Sequence, residues 1–186
     1  SPSIAHTMIS FGFEGDSYLC ISIETRKEKG ESYSAVRGFF KQYELTYVLA
    51  DERDVVRLRT NYRGEDVYLY RLQAKPDVIR SVLLNYLQHV NSLKQKAEWY
   101  NALTSNCTTN IRGHARAYAA SPWDWRILLN GHLDEMIYEN GRLDRGLPFA
   151  ELKARSHINE RGKTADHDPA FSKRIREGLP GTEKRP

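Results

Sequence analysis

The chain has 186 residues, enough to bury a core of its own, and its 40% hydrophobic and 28% charged residues exclude a disordered or fibrous protein. No run of about 18 apolar residues occurs, which leaves no candidate for a membrane-spanning helix. The net charge of +4 is partly local: residues 171–186 carry five Lys or Arg against two Glu, which reads as a solvated basic tail. With no zinc-finger spacing and no nucleic-acid motif elsewhere, no nucleic-acid partner is expected.

Along the chain, IAHTMISFGF (4–13) mixes β-branched and aromatic residues and ends in FEGDS, a turn signal. SYLCISIETR (17–26) alternates, with Tyr18, Cys20, Ser22 and Glu24 on one face and Leu19, Ile21 and Ile23 on the other. Together they predict a β-hairpin with its tip near Glu14–Gly15, which sets His6 opposite Ser22–Glu24. The polar face has two readings: a solvent-facing edge, or a site. KEKGESYS (27–34) is a polar loop, and YELTYVLA (43–50) is a strand. DERDVVRLRT (51–60) is a short helix capped by Asp51 or Asp54. EDVYLYRLQA (65–74) alternates like another strand. From Pro76 the period lengthens: Val78, Ile79, Val82, Leu83, Tyr86, Leu87 and Val90 recur at three- and four-residue steps, predicting an amphipathic helix that opens on proline. A helix follows over 106–119, capped by Asn106 or Ser105, and a third starts at SPWDW (121–125) and stops at Gly141. The globular part is expected to end near residue 160, with 161–186 extended or disordered.

The chemistry centres on Cys107. A thiol attacks only as thiolate, and the N–H groups and partial positive charge of a helix N-terminus favour that form. The same N–H groups can hold an oxyanion, with Asn106 as a side-chain donor beside them. Against this stands the ordinary role of a free cysteine as a small buried hydrophobe. A base is required. His114 lies seven residues along the same helix, roughly 10 Å away in rise, too far for direct transfer. His89 and His132 fall in helical patterns, and His157 and His167 lie in or near the polar tail. His6 differs: it sits in an apolar strand whose partner strand offers Glu24, or Ser22 as the fallback, to fix its tautomer. Cys20, mid-strand, reads as packing. Two cysteines with no CxxC and no Cys/His cluster make neither a disulfide framework nor a metal site, although one bridge between them stays open. Arg26 and Arg53 are candidates for binding an acidic substrate group, with surface ion pairs as the plainer alternative.

The strings HTMISFGF (6–13), SIETRKE (22–28), YSAVRGFF (33–40), YELTYVLADERDVVRLRTNYRGEDVYLYRL (43–72), WYNALTSNCTTNI (99–111) and LDRGLPFAELKARSHIN (143–159) resemble the Lnb N-terminal periplasmic domain family, a bacterial family. That family in turn resembles circularly permuted papain-like proteins, a group that includes NlpC-type cell-wall peptidases, lecithin-retinol-acyltransferase-like enzymes and PPPDE peptidases. In permuted members the histidine strand precedes the cysteine helix, as His6 precedes Cys107 here. The resemblance implies an α+β fold with an antiparallel sheet packed against the cysteine helix, a periplasmic location, and attachment in many members to a membrane-embedded region. It further implies a Cys107–His6–Glu24 triad, no metal or organic cofactor, and a peptide, protein or lipid substrate. The opposing reading is a non-catalytic binding module on the same scaffold.

Overall fold

The computed structural model describes residues 5–26, 43–100, 107–115, 124–127 and 130–182, the side chains of Cys107, Ala115 and Asn130 excepted. Among these, four strands form one antiparallel sheet in the order β1 (Met8–Gly12), β2 (Tyr18–Arg26), β3 (Tyr43–Asp51), β4 (Trp99–Tyr100). Seven α-helices accompany it: α1 (Glu52–Arg57), α2 (Pro76–Leu93), α3 (Cys107–Ala115), α4 (Leu133–Glu139), α5 (Phe149–Ser156), α6 (Asn159–Thr164) and α7 (Phe171–Arg174). The chain divides into two compact units. The first comprises Ser1–Ile9, Ile21–Leu49 and Lys75–Leu133; the second comprises Ser10–Cys20, Ala50–Ala74 and Asp134–Pro186.

In the first unit, β3 pairs antiparallel with β4, setting Tyr43 against Tyr100 and Glu44 against Trp99. Ile21, Ile23, Tyr43, Leu45, Val82, Tyr86 and Ile127 are buried. Helix α2 begins at Pro76, where the missing N–H costs nothing, and its periodic positions Val82 and Tyr86 are the buried ones. Helix α3 carries His114, which is buried and neutral. Its Nδ1–H donates to Asn85 Oδ1 at 2.7 Å, and its Nε2 accepts from the Tyr47 hydroxyl at 2.9 Å. Tyr86 lies against its ring with centroids 4.0 Å apart, and His89 is 5.1 Å away. Burial, aided by His89, pushes its pKa down from 6.5 to about 4. Between those values the unfolded chain binds a proton that the folded chain refuses, so stability is complete above pH 6.5 and declines toward pH 4. The expected loss is about 2–3 kcal/mol, read by urea denaturation at pH 7.5 and 4.5. A His114→Gln variant should lose much of that pH dependence.

In the second unit, Asp51 caps α1 by accepting from the Arg53 N–H at 2.8 Å. The helix runs on into a π-helical turn, Leu58–Tyr62, closed by Arg63 N–H donating to Leu58 O at 2.9 Å. Gly162 on α6 is tight against this turn: an added Cβ would stand 2.8 Å from Thr60 Oγ1. Asn61 Nδ2 reaches Gly162 O at 2.9 Å through the space so left. Helix α4 stops at Gly141, whose φ of 69° lets the Arg142 N–H return to Ile137 O at 3.0 Å.

Two expectations change here. Residues 65–74 alternate like a strand but make only one isolated bridge, Tyr68 with His157. The flanking bonds, Ile158 N–H to Val67 O and Leu69 N–H to Ser156 O, hold the segment extended without a ladder. The predicted basic tail is structured: α6 and α7 occupy 159–164 and 171–174, and Phe171, Ile175 and Leu179 are 0–3% exposed. Those three recur every four residues, a helical stripe that the surrounding charges masked. Arg176 on the same segment is held by a fully buried carboxylate, Glu52, with Nη1 2.6 Å from Oε2 and Nη2 2.6 Å from Oε1.

Candidate active site

The hairpin delivers the first part of the site. Strands β1 and β2 are joined by a tight turn at Glu14–Asp16, where Gly15 takes a φ of 74° and Phe13 N–H donates to Ser17 O at 2.8 Å. His6 lies two residues before β1, and its ring meets the polar face of β2. Its Nε2 is 2.7 Å from Ser22 Oγ and 3.3 Å from Glu24 Oε1. The Ser22 hydroxyl donates to Glu24 Oε1 at 2.7 Å. Ser22 is fully buried, whereas the His6 and Glu24 side chains keep 23% and 35% of their exposure. The polar face of β2 is therefore no solvent edge: Cys20 and Ser22 are as buried as Ile21 and Ile23 on the opposite face.

The second part is on α3. Cys107 is the first described residue of that helix, and Asn106 lies outside the described residues. Next to Cys107, Thr108 is buried, and its hydroxyl is 3.2 Å from that of Thr7, the neighbour of His6. This bond joins positions 101 residues apart. Neither threonine is marked by any spacing in the sequence, and only the folded chain reveals the pairing.

A profile of the Lnb N-terminal periplasmic domain matches residues 1–131. The chain belongs to this family. It is accordingly a periplasmic domain, and among the described residues no helix is long and apolar enough to cross a membrane. The family match contains His6, Ser22, Glu24 and Cys107 and ends before the LDRGLPFAELKARSHIN string at 143–159. No curated protein and no solved structure matches the chain.

The remaining candidates of this Lnb N-terminal domain are placed as follows. Arg26 forms an exposed ion pair with Glu44, Nη1 to Oε2 at 2.9 Å. Arg53 belongs to the second unit and forks onto Asp51 at 3.1 and 3.2 Å. Both are thus ion-pair partners on exposed side chains. Cys20 is a free thiol in this structure. It is 1% exposed, and burial, reinforced by the nearby Glu52 carboxylate, pushes its pKa up to about 12. It should therefore stay unmodified by a thiol reagent at pH 8 in the folded protein and react only in urea, as peptide mass mapping would show. Among the described residues, no cluster of His, Cys, Asp and Glu has the arrangement of a metal site.

Proposed function

We propose that the domain is a thiol hydrolase or acyltransferase, built as a permuted papain-like fold, in which Cys107 is the nucleophile and His6 its base. The observation that carries this reading is a pair of contacts on neighbouring residues. His6 is fastened to Ser22 and Glu24, while Thr7 beside it bonds Thr108 beside Cys107. Two sequence positions that chemistry would want together thus have adjoining residues in contact.

The mechanism follows from these groups. The first-turn N–H groups of α3 favour a thiolate at Cys107. The thiol gives its proton to His6, and the sulfur pair attacks the substrate carbonyl. The resulting oxyanion is held by the Cys107 N–H and by Asn106. Collapse breaks the bond to the leaving group, which takes the proton back from His6. Water or a second nucleophile, deprotonated by His6, then releases the acyl group from sulfur. Glu24 orients His6 and stabilises its imidazolium. An amide in a peptide or protein is the leading substrate class, and a lipid ester is the second. Arg26 and Arg53 stay candidates for recognising an acidic substrate group, since exposed ion pairs such as theirs exchange readily.

The reading is tested by incubating the protein with electrophilic peptide, acyl-ester and lipid probes and locating adducts by mass spectrometry. One probe class should label Cys107 in the wild type and fail to label a His6→Ala variant. Absence of an adduct with all three classes would favour the binding module.

A further inference from the structure

The Ser22 hydroxyl has one proton, and the geometry spends it on Glu24 Oε1 at 2.7 Å. Its oxygen can then only accept from His6, 2.7 Å away, so His6 Nε2 must be the nitrogen that carries hydrogen. The direct His6–Glu24 approach, at 3.3 Å, is the longer of the two routes to the carboxylate. We propose that Ser22 is a positioning residue that passes the acceptor character of Glu24 to His6, fixing the Nε2–H tautomer and leaving the Nδ1 lone pair as the base for Cys107.

This inference rests on the Cys107–His6 reading but concerns a different atom. Burial is part of the device. Ser22 is 0% exposed, so water cannot compete for its hydroxyl, and its two bonds hold the rotor in one orientation. The two partly exposed members of the chain, His6 and Glu24, are thereby joined through a rigid buried link. When Cys107 reacts, its S–H bond breaks, a Nδ1–H bond forms, and the electron pair stays on sulfur. The positive charge that appears on the ring is met by the same chain, since Nε2–H already points to an oxygen polarised by a carboxylate. The opposite tautomer would place a hydrogen on Nδ1 and remove the base; correct tautomer selection is one of the main services of the third residue in a nucleophile–histidine system.

The test is the tautomeric state of His6, read by long-range proton–nitrogen correlation NMR at pH 8.5 in the 186-residue chain carrying Cys107→Ser, so that the ring is neutral. The expected spectrum shows Nε2–H alone, and Ser22→Ala should give a mixture of both tautomers. Iodoacetamide alkylation of Cys107 at pH 6.5 in the Cys107-containing counterpart should slow roughly tenfold with Ser22→Ala. A Nδ1–H tautomer in the starting protein would overturn the proposal, as would an unchanged Nε2–H population in Ser22→Ala. Should Ser22→Ala not fold, Glu24→Leu serves instead, because loss of the acceptor oxygen must release the same hydroxyl; an unaltered tautomer there also overturns it. The NMR result stands whether or not Cys107 proves reactive, so failure here and failure of the hydrolase reading are separate outcomes.

Discussion

Cys107→Ala is expected to abolish turnover of whichever probe class acylates the protein, and His6→Ala to lower it by roughly 10⁴–10⁶-fold. The two losses should not add. A nucleophile and its base act as one unit, so the double variant should be no slower than Cys107→Ala alone. The reason lies in the chain of contacts described above. His6 is tied through Nε2 to Ser22 and Glu24, and Thr7 and Thr108 join its segment to α3. Replacing His6 removes the only ring in that chain. Glu24→Gln should act more weakly, because the amide Oε1 can still accept from Ser22, which keeps its bond to the ring. Steady-state kinetics with the best probe as substrate would read all of these. Additive losses in the double variant would mean that Cys107 and His6 do not act on the same proton.

Arg176→Met is expected to destabilise the fold by about 3–5 kcal/mol, the cost of leaving a buried charge without its partner. Glu52 is fully buried, accepts from the Ser10 hydroxyl at 2.5 Å, and receives both guanidinium nitrogens of Arg176 at 2.6 Å. The guanidinium also lies 3.5 Å over the centre of the Tyr18 ring. Methionine fills much of the volume of arginine but supplies no donor, so the carboxylate must either stay charged in an apolar site or take up a proton. Adding Glu52→Gln should recover a large part of the loss, because a neutral amide needs no counter-charge. Urea denaturation of the wild type, the two single variants and the double variant closes the cycle. A cost under about 1 kcal/mol for Arg176→Met would show that the pair behaves as a surface salt bridge.

What was legible in the sequence had a short physical range. The two-residue period of SYLCISIETR and the turn residues before it fix a hairpin, and a hairpin fixes register, which sets His6 against Ser22 and Glu24. Pro76 and the apolar steps after it announced α2 with the same directness. Residues 65–74 misled because alternation reports two different faces, not the presence of a neighbouring strand; Tyr68 found one bridge partner, His157, and no ladder. The segment after 160 has the composition of a tail but the apolar spacing of a helix. Phe171, Ile175 and Leu179 form a stripe, and Arg176 finds its carboxylate 124 residues earlier, a partner that no local pattern announces. The Thr7–Thr108 bond is of the same kind. Local periodicity shaped the pieces, and the contacts that bring His6 and Cys107 into one argument belong to tertiary structure.

The central claim is that His6 governs the ionisation of Cys107. The rate of Cys107 alkylation by iodoacetamide, followed from pH 4 to pH 10 in the wild type and in His6→Ala, tests it most directly, with buried Cys20 silent in the folded protein. The account predicts a wild-type profile whose midpoint lies well below the ordinary thiol value of about 8.5, and a return toward that value in the variant. Superimposable profiles for the two proteins would contradict it.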